Sequence, residues 1–143
     1  MRATFDFDNK TLNHFNKQCN VAISKLGNGS RKALVEACEE IINASMAQVP
    51  VDTTTLMDSA FWEVTGHWRL GWEATLGYGG NGDPVNPKTG KPASYYAVYV
   101  HEDLNAVHPI GKAKFLEDPV REYAREKYPR TVFRYAQESL ANL

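Results

Sequence analysis

The feature that most constrains the fold is a change of hydrophobic period near Ala60. Upstream, Leu12, Phe15, Cys19, Ile23 and Leu26, and then Leu34, Val35, Cys38, Ile41, Ile42 and Met46, recur every three or four residues and mark helical faces. Downstream, Trp62, Val64, Trp68, Leu70, Trp72, Ala74 and Leu76 fall on alternate positions, the period of strands with one apolar face. The first pattern predicts helix from Thr11 to Leu26 and again from Ser30, with Ser30 as N-cap. Gly27-Asn28-Gly29 between them reads either as a turn or as a kink inside one long helix. Pro50 ends the helical region, because the residue before a proline is biased out of the α conformation. The second pattern predicts a hairpin of Phe61–Thr65 and Trp68–Tyr78 joined near Gly66.

Two further segments alternate. Thr4–Asp8 suggests a short edge strand carrying Phe5 and Phe7 on one face. Tyr95–Val100 reads as a third main strand, apolar on both sides, lying inside a sheet or against another subunit. Asp118-Pro119 reads as an N-cap followed by proline at the first helical position, and Val120, Tyr123, Ala124 and Tyr128 continue the helix. Pro129 either kinks it or starts another, whose stripe is Val132, Phe133, Ala136 and Leu140. The chain is therefore expected to be α+β. An antiparallel sheet of three to four strands would pack against N-terminal helices and a C-terminal helix or helix pair.

The 143 residues suit one domain, 1–143, with an extended Gly/Pro-rich loop at 79–93. Sixteen Lys and Arg against 17 Asp and Glu give a net charge of −1, so no global basic field holds a nucleic acid. Cys19 and Cys38 sit at helical apolar positions without metal spacing and read as reduced core thiols. The start of the sequence lacks an apolar signal core and no apolar run approaches 20 residues, so the protein is expected to be soluble when made.

In the loop, Gly79, Gly80, Asn81, Gly82, Asp83, Pro84, Val85, Asn86, Pro87, Lys88, Thr89, Gly90, Lys91 and Pro92 offer almost no apolar side chain. The segment is expected to be an exposed arm or hairpin tip that contacts a partner, with disorder as the alternative. Its glycines lack the order of a phosphate-binding loop. His101, Glu102 and His108 invite a metal reading, but the histidines stand seven residues apart where one helical turn would put both on one ion. Polar residues in a strand-to-helix connection are the plainer reading. No Ser-His-Asp or Cys-His arrangement emerges either, so no catalytic residue, metal or cofactor is expected.

Two stretches carry a resemblance. Val49–Ser59, VPVDTTTLMDS, resembles the first signature of a family of tailed-phage tail-completion or head–tail joining proteins, often labelled minor capsid proteins, at Pro50, Asp52, Thr53, Leu56 and Ser59. Tyr95–Val120 is similar to the second, at Tyr96, Ala97, Tyr99, Val100, Lys114, Phe115 and Leu116. The chain departs from the pattern at Thr54, usually Gly, where a β-branched residue at positive φ would be strained, and at Met57, usually basic. The resemblance implies a non-enzymatic structural virion protein of the phage neck, folded in the host cytoplasm and assembled as a homo-oligomeric ring of six-fold or twelve-fold symmetry. Its implied partners are further copies of itself, a head-side adaptor or head-closure protein, and a tail terminator or tail-tube protein. DNA would pass through the lumen without specific binding, and no membrane is involved. A tail terminator or head-closure protein of the same neck is the nearest alternative, and a metal-dependent hydrolase using His101, Glu102 and His108 a more distant one.

Overall fold

The computed structural model describes residues 8–80 and 82–141. Helix α1, Asn9–Met46, runs without interruption through Gly27-Asn28-Gly29, about 57 Å at the α-helical rise. Asp8 caps it by accepting from the Thr11 amide at 2.8 Å. Ser30 is not a cap: its hydroxyl donates back to the Leu26 carbonyl at 3.0 Å inside the helix. The glycines stand there for a packing reason. A Cβ on Gly27 would lie 2.5 Å from the Trp68 carbonyl oxygen, and one on Gly29 would lie 2.4 Å from the Ser139 hydroxyl, so two different elements press onto α1 within one turn.

Those elements are a hairpin and the last helix. Strands β1, Ala60–His67, and β2, Gly71–Tyr78, pair antiparallel from Ala60↔Tyr78 to His67↔Gly71, with Trp68-Arg69-Leu70 as the turn. The register puts Trp62 with Leu76, Val64 with Ala74 and Gly66 with Trp72 on one face, as alternation predicts. That face follows α1. The Trp72 indole donates to the Gly27 carbonyl at 2.8 Å, Leu76 packs on Ala37 and Ile41, and the Tyr78 hydroxyl meets that of Ser45 at 2.7 Å.

After Pro50 comes a four-residue helix, α2, Thr55–Asp58. No side chain caps it: Thr54 is the cap residue without such a bond, and Asp52 pairs with Lys88. Thr54 itself has φ −68°, so the departure from glycine costs no strain there.

The third expected strand is a helix. Tyr95–Val100 lies within α3, Ala93–Glu102, so the sheet among the described residues has two strands rather than three to four. Ala93, Tyr96, Ala97 and Val100 turn inward with spacings of three and four while Tyr95, Val98 and Tyr99 face solvent. The strand reading failed because both alternating sets are apolar, which leaves period two undefined. The other candidate strand, Thr4–Asp8, falls outside the described residues except for the capping Asp8.

Helices α4, Glu117–Glu126, and α5, Tyr128–Ala141, complete the body. Asp118 and Pro119 occupy the second and third helical positions behind Leu116 as cap residue, two residues off the expected placement, and Pro129 opens α5 at its second position. α5 runs antiparallel to α1: Arg134 reaches Glu36 with both contacts at 2.6 Å, Tyr135 donates to the same carboxylate at 2.8 Å, and Lys127 reaches Glu40 at 2.7 Å. The Arg134 guanidinium, and then the Tyr135 hydroxyl, hold the Glu36 carboxyl below its ordinary range despite partial burial.

Two apolar clusters form the core. Ala37, Ile41 and Tyr123 join α1 to α4, while Val49, Leu56, Ala93 and Phe115 join the segments on either side of the hairpin. Cys38 is buried as a free thiol, and Cys19 is half-buried and free. No helix among the described residues is long and apolar enough to cross a membrane.

Candidate functional site

The two signature segments, distant in sequence, meet. Leu56 and Phe115 are buried side by side with Val49 and Ala93, and Tyr96, Ala97, Val100 and Leu116 pack around them. Phe115 is the centre, edge-on to Tyr78 at 5.1 Å and to His101 at 5.0 Å. Ser59 is buried and donates to the Leu56 carbonyl at 2.6 Å, while its oxygen accepts from the Gly79 amide at 3.1 Å, so it ties the end of the hairpin to α2. Tyr99 is 72% exposed and packs into none of this.

Lys114 has φ 58°, an uncommon backbone for a residue with a side chain. Its amide donates to the His101 carbonyl at 2.8 Å, and its ammonium sits between Glu102 at 2.5 Å and Glu117 at 2.8 Å. Arg121 adds a second cation to Glu117 at 2.6 Å. Hydrogen bonds to Glu102 and then Glu117 push the Lys114 ammonium above its ordinary value, and Lys114 in turn holds both carboxyls below theirs.

This arrangement bears on the metal reading. His101, Glu102 and Glu117 bring ligand atoms within 4.8 Å of one another, whereas His108 stands apart. The gap between the carboxylates is already filled by the Lys114 ammonium. His101 is engaged at both nitrogens, Nδ1 at 2.7 Å from Glu102 and Nε2 accepting from the Glu117 amide at 3.3 Å. A cation would have to displace Lys114, so the cluster works as a latch joining the end of α3 to the start of α4.

Residues 82–93 of the loop are folded back on the body. Asn86 is buried and organises it: its amide donates to the Lys91 carbonyl at 2.9 Å, its carbonyl accepts from the Gly90 amide at 2.8 Å, and its side chain accepts from the Lys88 amide at 2.9 Å. Val85 bridges Pro92, Ala93 donates to the Pro84 carbonyl at 3.0 Å, and Lys88 pairs with Asp52 at 2.5 Å. The loop is thus a small hairpin clipped to the first signature.

Between this hairpin, Pro50–Leu56, α3 and residues 108–110 lies a groove of about 430 Å³. Its walls carry Pro50, Tyr95, Tyr96, Pro109 and Ile110 among polar groups from Thr53, Asn86 and Lys91. The Tyr96 hydroxyl and His108 Nε2 are shielded from solvent there and make no hydrogen bond within the chain. Sequence reasoning named both residues but had no means of seeing that three separate segments enclose them.

The exposed apolar surface is the other conspicuous feature. On the first half of α1, Leu12, Phe15 and Ile23 are 41%, 62% and 50% exposed, although they continue the line of Ala33, Ala37 and Ile41 that is buried further along. Toward the other end of α1, Val98, Tyr99, Leu104, Val107 and Ile110 are 60–94% exposed, Val98 beside Tyr78 and Phe115 and Ile110 beside Pro50. Comparison with known protein families, with curated proteins and with solved structures returns no match to this chain.

Proposed function

We propose that the chain is a structural subunit of a tailed-phage neck, a tail-completion protein that joins the head-side connector to the tail as one member of a closed ring. The observation that carries this reading is the division of exposed apolar surface between opposite ends of α1. Residues 108–111 lie beside Pro50, and the Lys112 amide donates to the Gln48 carbonyl at 2.9 Å. They stand about 45 Å of helical rise from Phe15. Large contiguous apolar exposure marks interaction surfaces. Two different patches at opposite ends suit head-to-tail association, which closes into rings, better than a two-fold contact that uses one patch twice. Convergence of both signature segments on Phe115 adds support, since it makes them parts of one folded joint. Strand addition from a neighbour to a hairpin edge would bring the sheet to three or four strands.

Proteomics of purified virions with imaging of the neck tests the reading: the chain is expected as a ring between connector and tail, and its absence from virions would refute it. The layer it occupies separates tail completion from a tail terminator or head-closure role. The head-to-tail geometry has its own test by native mass spectrometry. Phe15→Glu and Val107→Glu each spoil one surface, so each variant alone stays monomeric and an equal mixture stops at dimers. Assembly of either variant into closed rings would refute the two-surface arrangement.

A further inference from the structure

We infer that the first half of α1 and the tip of the β1–β2 hairpin form a weak, salt-sensitive site for the phosphate backbone of duplex DNA. The net charge of −1 conceals a segregation. Between Asn9 and Val35 the chain carries Lys10, Lys17, Lys25, Arg31 and Lys32 and no Asp or Glu. Helical geometry places these cations on the side of α1 opposite the Leu12–Phe15–Ile23 stripe, with Lys10 and Lys17 one heptad, about 10 Å, apart. A neighbour packed on the stripe would leave the cations facing outward.

The cations differ in how far they are balanced. Arg31 and Lys32 share a concavity with Glu36 and Glu39, and Lys25 and Lys32 share another with Glu138, so that end is compensated. Further out, Lys17 and Lys25 line an open concavity of about 640 Å³ with Arg69, whose guanidinium is held over the Trp68 ring at 4.9 Å. Asn13, Asn16 and Asn20 line the same concavity, and neutral amides donate to phosphate oxygens without repelling them. The nearest hairpin acids, Glu63 and Glu73, lie on the sheet face turned away from α1. Lys10, Lys17 and Arg69 therefore form the core of the site. No base-reading geometry accompanies them, so the contact is independent of sequence and suits a duplex in transit.

The inference rests on the neck reading for the choice of DNA as the polyanion. It is tested with the purified full-length chain and a fluorescent duplex of random sequence, read by anisotropy. Three phosphate contacts give a log–log salt slope near −2.7, so affinity falls about 40-fold between roughly 20 and 80 mM salt. A Lys10→Gln, Lys17→Gln, Arg69→Gln variant should keep the thermal midpoint and lose most of that slope, while Arg121→Gln, Arg125→Gln, Arg130→Gln should bind as wild type. No salt-dependent binding, or equal binding by the first variant, overturns the inference. So does binding of the same surface to vesicles of anionic phospholipid in preference to the duplex. Virion content tests the neck reading separately, so a chain found in the neck that ignores DNA loses this inference alone.

Discussion

Gly27→Ala gives the sharpest test of how α1 is built. In an ordinary helix interior this substitution gains about 1 kcal/mol from helix propensity. Here the new Cβ would stand 2.5 Å from the Trp68 oxygen, 2.8 Å from its Cβ and 3.0 Å from its Cα, contacts with backbone that no side-chain rotation relieves. The hairpin tip must lift, and overpacking of this kind costs about 1–3 kcal/mol. Lifting it also strains the 2.8 Å bond from the Trp72 indole to the Gly27 carbonyl, worth about 1 kcal/mol. The net expectation is a loss of about 1–3 kcal/mol, read as a urea midpoint lowered by about 1 M at a typical slope for a small protein. Asn28 is exposed, so Asn28→Ala is the control, expected to be neutral or to gain up to about 0.5 kcal/mol. Circular dichroism at 222 nm and tryptophan fluorescence should report the same transition. If Gly27→Ala were as stable as wild type, the hairpin would not press on α1 there and the glycines would mark a flexible break.

Glu36→Gln should weaken the α1–α5 clasp in a pH-dependent way. Because Arg134 and Tyr135 depress the Glu36 carboxyl, wild type has the advantage above the ordinary value of 4.5 and loses it as pH falls through the lower folded value; thermal midpoints of the two proteins should converge in acid, and a gap that persisted there would refute the electrostatic origin. Tyr99→Ala should leave stability within about 0.5 kcal/mol, since the side chain is largely exposed, yet lower ring yield in native mass spectrometry; a destabilised monomer would place Tyr99 in the core instead.

What could be read from the sequence depended on whether a period was unambiguous. The hairpin's existence and facing were legible because Trp62, Val64, Trp72, Ala74 and Leu76 alternate with Glu63, Thr65, Glu73 and Thr75, but its turn was not: Gly66 lies inside β1, paired with Trp72, and the chain reverses at Trp68-Arg69-Leu70 instead of near Gly66. The α1 stripe was legible for the same reason at period 3.6. Tyr95–Val100 was not, because tyrosine and valine favour strands locally while the inward spacing of Ala93, Tyr96, Ala97 and Val100 is helical, and tertiary packing decided. The two glycines of α1 left a turn and a kink within one helix both open, and only the approach of Trp68 and Ser139 explains why they stand there. The groove was invisible because Asn86 folds the Gly/Pro loop back through its own backbone bonds, a pattern without a periodic trace.

The signature residues divide by what they do in the fold. Leu56, Ser59, Ala97, Phe115 and Leu116 are accounted for by packing and by the bonds that close the joint around Phe115. Lys114 accepts an uncommon backbone angle because its ammonium answers Glu102 and Glu117, which a glycine there would leave facing each other, with Arg121 as the cation still paired to Glu117. These residues set the pose of α3 without themselves being available to a partner. What they present is the outward side of that helix, with Tyr95, Val98 and Tyr99, beside a groove where the Tyr96 hydroxyl and His108 Nε2 lack partners. A joint this well satisfied internally, ending in an apolar face and two orphaned polar atoms, is complete as a fold and incomplete as a surface, which is the condition expected of a subunit whose remaining contacts belong to its neighbour.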